Sequence, residues 1–231
     1  MHRLILFDID GTLVLTGRAG MRALNRAFAD QCGVADALAG VALAGRTDRA
    51  IIEDVLHRHG LLRALDDDGF HRFCQRYFAC LEEEMEVDAP GKRVLPGVEP
   101  LLQELSRHRD VEVALLTGNL EEGARLKLTH FDLWRHFAWG AFGGGTTDRN
   151  TLLPIALDQA RARGIDPRKE HVFVVGDTPH DVACARSGGA YAVGVATGPY
   201  SEDDLHRSGA DAVFPDLADT PRILALLTGA S

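Results

Sequence analysis

Two kinds of pattern alternate along the chain. Arg3–Phe7, Val111–Thr117, His171–Asp177 and Tyr191–Thr197 are short, nearly unbroken apolar runs, with a weaker one at Asp211–Phe214. Each is too short for a helix and is closed by a glycine or polar turn, so each predicts a strand buried on both faces. Between them, apolar residues return every three or four positions. In Val98–His108 they fall at 98, 101, 102 and 105, which makes one helical stripe, and Leu152–Gly164 repeats the pattern and stops on glycine. Buried strands alternating with helices predict the α/β class, with a mainly parallel sheet flanked by helices on both sides.

Residues 16–89 break this alternation. They hold helical runs at Met21–Gln31, Arg49–His59 and Phe70–Glu84, no convincing strand, and a polar exit through Asp88, Ala89, Pro90 and Gly91. The segment reads as a helical insert, which divides the chain into a core (1–15 and 90–231) and an inserted unit (16–89). The acidic runs Asp66–Asp68 and Glu82–Glu84 are read as solvated faces or turns, because neither has the spaced oxygen ligands of a calcium loop.

Composition narrows the partners. A net charge of -9 argues against nucleic acid and anionic membranes, which require a positive face, but leaves room for a small phosphorylated ligand held by a few local groups. Cys32, Cys74, Cys80 and Cys184 show neither a CxxC pair nor metal-ligand spacing and are read as reduced thiols. The first apolar run is far shorter than a signal-peptide core or membrane span, so a cytoplasmic location is expected. Oligomeric state is not legible.

The chemistry lies where strands end. Ligands of open parallel sheets bind beyond the carboxyl ends of the strands. Asp8 and Asp10 end the first strand in FDIDGT, Thr117, Gly118 and Asn119 end the second in LLTGN, and Asp177 ends a later one in VVGDTPHD, with Asp181 four residues on. If those strands are neighbours, the carboxylates converge and require a hard cation, for which Mg2+ fits an all-oxygen donor set. Asp8 and Asp177 are the direct ligands in this reading, with the main-chain carbonyl of Asp10 available. The Thr117 hydroxyl and the Gly118 and Asn119 amides could hold an anion. A nucleophile, a cation and donors for equatorial oxygens are the parts of phosphoryl transfer. Asp8 is placed to be the nucleophile, and Asp10 to protonate the leaving oxygen and then activate water.

With these motifs in this order, the sequence resembles the haloacid dehalogenase superfamily, in particular its phosphatases related to phosphoglycolate phosphatase. The resemblance spans nearly the whole chain and implies a Rossmann-like core with an alpha-helical cap inserted after the first strand. It implies Asp8 as nucleophile, Asp10 as general acid/base, Thr117 as the phosphate-binding hydroxyl, and Asp177 as a Mg2+ ligand supported by Asp181. Gly11, Thr12, Gly118 and Asn119 are assigned to the substrate. The family also has a basic residue that neutralises the transferring phosphoryl group. Arg149, in TTDRNTLLP, is the positional match, and Lys127, on the helix after LLTGN, is the rival. In LAGRTD, Thr47 or Asp48 can cap a helix, and family caps supply specificity from such loops. Arg46 is then either a solvated side chain or a group reaching the substrate's distal end, with Thr47 beside it. Leu15 stands where relatives often have an acid. His57 and His59 face different ways on a helix, and His180 neighbours the site without a catalytic assignment.

Within the superfamily, Asp10 argues against two-carbon dehalogenation, and the absence of lysine from 16–89 argues against Schiff-base phosphonate cleavage. The expected function is Mg2+-dependent hydrolysis of a small phosphorylated metabolite, such as phosphoglycolate, a sugar phosphate or a nucleotide, through an aspartyl-phosphate. A phosphomutase of the beta-phosphoglucomutase type, or a non-catalytic binder of phosphometabolites, is the alternative.

Overall fold

The apolar runs become strands because each has two faces to bury. The computed structural model describes residues 2–61, 67–165 and 171–229. Its strands are β1 (Arg3–Phe7), β2 (Val14–Leu15), β3 (Arg93–Val94), β4 (Val111–Thr117), β5 (Gly140–Phe142), β6 (Val172–Gly176), β7 (Tyr191–Val195) and β8 (Ala212–Phe214). Its helices are α1 (Ala19–Cys32), α2 (Asp48–Arg58), α3 (Asp67–Glu86), α4 (Val98–Leu105), α5 (Glu121–His130), α6 (Leu152–Ala162), α7 (Pro179–Gly188), α8 (Glu202–Arg207) and α9 (Thr220–Thr228).

Six strands form one parallel sheet in the order β5-β4-β1-β6-β7-β8. In β1, Ile5 and Phe7 enter one hydrophobic cluster, which holds Val98, Leu101 and Leu105 of α4, Leu128 of α5 and Ile223 of α9. Leu4 and Leu6 enter the cluster on the opposite face, with Leu153 of α6, Val182 of α7 and Leu205 of α8. Alternate residues therefore serve opposite cores, which is why these strands read as continuous apolar runs. The expected α/β fold, a Rossmann-like parallel sheet between helices, is the observed one.

Phe7 lies opposite Leu115 of β4 on one side and Val175 of β6 on the other. The strands carrying Asp8, Thr117 and Asp177 are thus adjacent, as the convergence of carboxylates requires. Two elements had no counterpart in the hydrophobic pattern. The edge strand β5 is short and begins at Gly140, where a Cβ would meet the Leu115 side chain and carbonyl. The β2/β3 ladder pairs Val14 with Val94 and Leu15 with Arg93, joining the chain on either side of residues 16–89.

Those residues form α1, α2 and α3, which share a third hydrophobic cluster containing Phe28, Ile52, Phe73, Tyr77 and Leu81. Of the acidic runs, Glu82 and Glu83 are exposed as expected, but Glu84 is buried and receives Arg22 at 2.5 Å and Arg26 at 2.9 Å. The helical turn that carries it faces α1, so the expectation of a solvated Glu84 is corrected. Asp66 lies outside the described residues, and Asp68 is exposed. All four cysteines are free thiols. Among the described residues, no helix is long and apolar enough to cross a membrane.

Phe28 and Phe73 pack with ring centroids 4.6 Å apart and join α1 to α3. Phe28→Ala removes that contact and leaves a cavity, so it is expected to lower the unfolding free energy by about 3–5 kcal/mol. Urea denaturation checks this, and a loss below about 1 kcal/mol would place the cohesion of these helices elsewhere.

Candidate active site

Asp8 immediately follows β1, and its backbone N–H donates to Val175 of β6 at 3.0 Å. That bond ties the carboxylate to the strand that delivers Asp177. Carboxylate oxygens of Asp8, Asp177 and Asp181 all lie within 4.8 Å of one another, and all three residues are buried. Burial raises the Asp8 pKa to about 6, against the pull of Arg149 and with the push of Asp181 and Asp10. Burial, then repulsion from Asp181 and Asp8, drives Asp177 well above the ordinary carboxylate range.

The one cation within this group is Arg149. Its Nη2 lies 3.0 Å from Asp8 Oδ1 and also bonds Asp181 Oδ1. Burial opposes the guanidinium charge, but Asp181 and Asp8 outweigh it and raise its pKa. Three buried carboxyl groups share one guanidinium, so their full ionisation needs further positive charge, and oxygen donors are what Mg2+ selects. Room for the acids is also built in. A Cβ at Gly11 (φ +84) or Gly198 would overlap the Asp177 carboxylate, and one at Gly176 would overlap that of Asp181. The donor set and its charge deficit therefore fit a divalent ion.

Asp181 is held more tightly than its sequence position suggested. Thr178 N–H donates to Asp181 Oδ2 at 3.0 Å and Thr178 Oγ1 does so at 2.7 Å, while Thr178 Oγ1 accepts from Asp181 N–H. This is a capping box at the start of α7, and Asp181 joins it to Arg149. Thr178 was not among the expected site residues, although the T-x-x-D spacing of TPHD was a readable signal.

Asp10 has a different environment. Its side chain is 42% exposed, and Lys127 Nζ donates to its Oδ2 at 2.6 Å. Asn119 Nδ2 donates to the same oxygen at 2.9 Å, while Asn119 Oδ1 accepts from Lys127 at 2.6 Å. Lys127 is buried, and although burial disfavours its charge, Asp10 and Asp48 outweigh that and raise its pKa. The two basic residues weighed as rivals are both present. Arg149 contacts Asp8, and Lys127 contacts Asp10.

The other expected residues make contacts of their own. Thr117 Oγ1 accepts from Asn119 Nδ2 at 2.8 Å and from the Asn119 amide at 3.3 Å, so that amide is directed at the hydroxyl. The helix begins at Glu121, beyond Gly118 and Asn119. Thr12 Oγ1 donates to Asp177 Oδ1 at 3.4 Å, and the Gly11 carbonyl accepts from Thr197 Oγ1 at 2.5 Å. Arg46 donates to Asp54 at 3.1 Å and to the carbonyls of Ala42 and Ala50, while it lines the cavity above Asp10. His180 is exposed and outside that lining, and His57 and His59 are exposed on or just after α2.

The loop Gly45–Asp48 rests on the ends of the sheet. Asp48 N–H donates to Gly118 O at 2.7 Å, and Asp48 Oδ2 accepts from Leu120 N–H at 2.8 Å. Thr47 Oγ1 donates to Thr146 O at 2.9 Å, and Arg149 Nη1 donates to Gly45 O at 3.1 Å. A Cβ at Gly118 would overlap the Arg46 carbonyl, so this approach needs glycine there. Of the two cap candidates, Thr47 caps α2 by accepting from Ala50 N–H, which frees Asp48 for Leu120. Asp48 was missed as a site residue because an acid in a first helical turn is ordinary.

The haloacid dehalogenase-like hydrolase family model matches residues 5–186. This chain belongs to that family. Its haloacid dehalogenase-like relatives include the phosphoglycolate phosphatase of Rhodospirillum rubrum, 29% identical over 221 residues, covering 94% of this chain and 89% of that protein. Phosphoglycolate phosphatase 1 of Pseudomonas aeruginosa is 30% identical over 197 residues, covering 82% of this chain and 67% of that one. Among solved structures, a predicted phosphoglycolate phosphatase from Haemophilus somnus superposes with TM-score 0.68 at 21% identity, covering 96% and 98% of the two chains. A beta-phosphoglucomutase from Clostridium difficile superposes with TM-score 0.70 at 15% identity, covering 99% and 98%. At these identities the structural likeness is one of fold.

Burial sets the charge state of Asp48 and raises its pKa to about 6, with Lys127 and the Leu120 N–H pulling the other way. A raised folded-state pKa means that the native protein binds more protons than the unfolded chain between about pH 4 and 6. The contribution of Asp48 to stability is therefore full below pH 4 and is lost as pH rises through 6. Asp48→Asn lacks this titration. The stability of wild type minus that of Asp48→Asn is expected to fall by up to about 3 kcal/mol between pH 4 and 7 and to be flat above. Urea unfolding of both proteins across that range measures it, and a difference that rises with pH contradicts the assignment.

Proposed function

We propose that this chain is a phosphomonoester hydrolase that uses Mg2+ and an aspartyl-phosphate on Asp8 to release phosphate from a small phosphorylated metabolite. What carries the reading is the gathering of Asp8, Asp10, Thr117, Arg149, Lys127 and Asp177 at the carboxyl ends of the adjacent strands β1, β4 and β6 and their loops. Relatives named phosphoglycolate phosphatases at 29–30% identity support the same class of reaction. We assign residues 16–89 as a cap over a core formed by 1–15 and 90–231.

Asp8 and Asp177 would hold the metal with the Asp10 carbonyl, and Asp181 would support it through Arg149 and Thr178. Bound there, a divalent ion would supply the positive charge that the acids lack and would act as a Lewis acid toward a phosphoryl oxygen. Asp8 attacks phosphorus, the ester P–O bond breaks, and the leaving oxygen takes a proton from Asp10. Water then gives a proton to Asp10 and attacks the acyl phosphate, which returns Asp8 as a carboxylate and releases phosphate. Arg149 holds Asp8 oriented and offers positive charge to the transferring group. Lys127 and Asn119 both occupy Asp10 Oδ2, which presents Oδ1 for the proton transfer.

Phosphate release from phosphorylated metabolites with Mg2+ tests the reading. Asp8→Asn is expected to lower turnover at least about 10³-fold, and EDTA to abolish release until Mg2+ is restored. Release that survives both changes contradicts the mechanism.

The two basic residues have separable signatures. Arg149→Ala is expected to slow 4-nitrophenyl phosphate and alkyl phosphates alike. Lys127→Ala, acting through the general acid, slows alkyl phosphates about 10²-fold or more and spares 4-nitrophenyl phosphate, whose leaving group needs no proton. Equal losses on both substrates for Lys127→Ala would assign it to the phosphoryl group instead.

A further inference from the structure

The cavity over Asp10 has a volume of about 680 Å³, within the about 300–1,000 Å³ of pockets that enclose drug-sized ligands. A two-carbon leaving group would leave much of it to water. Its floor is polar, with Asp8, Asp10, Asn119 and Lys127, but its walls are Leu15, Met21, Leu24, Leu43, Ile51 and Tyr77.

The charges around this space do not suit an anionic leaving group. Asp10 and Asp48 both line it and share the single ammonium of Lys127. The Arg46 guanidinium is taken by Asp54 and by two carbonyls. Arg18 lines the cavity too, but it is exposed, and solvent screens its attraction for an anion. Tyr77 is buried and lines the cavity. Burial, reinforced by Asp48 and Asp10, holds its pKa well above the ordinary value. It is therefore a neutral donor and acceptor in an apolar wall, matched to a hydroxyl or ether oxygen.

We propose that the site accepts phosphomonoesters whose leaving group is uncharged and has a sizeable apolar body, in preference to small carboxylated esters such as phosphoglycolate. The inference rests on the phosphatase reading and adds the substrate class. Each methylene buried against such a wall is worth about fourfold in affinity, so the preference is large enough to measure.

Initial-rate kcat/KM values with Mg2+ for hexyl phosphate, 2-phenylethyl phosphate, ethyl phosphate and phosphoglycolate decide it. The expected order is hexyl and 2-phenylethyl at least tenfold above ethyl phosphate, with phosphoglycolate lowest. Met21→Lys adds a cation to the half-buried wall of α1 and is expected to lower the hexyl value and raise that of phosphoglycolate. Leu15→Lys serves the same purpose from the other side, and a thermal melt shows that each variant is folded. Phosphoglycolate equal to or above the hexyl ester in the wild type overturns this inference and leaves the phosphatase reading standing. No release from any of the four esters, or from a wider metabolite panel, overturns both.

Discussion

The structure is organised around an electrostatic debt: Asp8, Asp177 and Asp181 are buried together with one guanidinium between them. Carboxylates removed from water are expensive unless they are paired, hydrogen-bonded or bound to a cation. The first two of these answers are visible. Arg149 takes Asp8 and Asp181, the capping box at α7 takes the rest of Asp181, and Thr12 donates to Asp177. The remaining excess is the reason a divalent ion fits. The sheet order follows the same need, since only with β1 between β4 and β6 do these groups meet.

That constraint explains what the sequence revealed. The central strands were legible because both of their faces are buried, and the three strand-end motifs were legible because chemistry in a parallel sheet collects at one edge. The edge strand β5 was not, because Gly140, Ala141 and Phe142 give neither a long apolar run nor an alternation. Nor was the β2/β3 ladder, whose two residues per strand fall below any periodicity. Glu84 was read as solvated because a run of three acids hides that one of them lies on the face turned to Arg22 and Arg26. The carboxylates at the strand ends were visible as motifs, whereas the places of Asp48 and Tyr77 in the cavity wall were not. Their significance arises only when a helical segment folds back onto the loop at Gly118–Leu120, a tertiary event with no local signature.

That docking is itself a consequence of small backbone details. Gly118 admits the Arg46 carbonyl, Thr47 rather than Asp48 caps α2, and Asp48 is then free to accept the otherwise orphaned amide of Leu120 at the start of α5. The inserted helices and the sheet edge thus satisfy each other's unpaired groups, and Arg149 spans both by donating to Gly45. A residue that neutralises Asp8 is thereby tied to the position of the segment above it.

The same geometry explains how two aspartates one residue apart can hold different roles. Asp8, directly after β1 and tied to β6 through its backbone, is buried against Arg149, whereas Asp10, two residues further from the sheet, is half in the cavity. Arg149 reaches Asp8 from the turn before α6 and also holds Asp181, whereas Lys127 reaches Asp10 from α5 and lies in the field of Asp48 as well. The two carboxylates therefore have different nearest cations, and of the two Asp10 oxygens it is Oδ2 that Lys127 and Asn119 occupy. The two bases that the sequence presented as a choice are, in the folded chain, the nearest cations of two different carboxylates, Arg149 of Asp8 and Lys127 of Asp10.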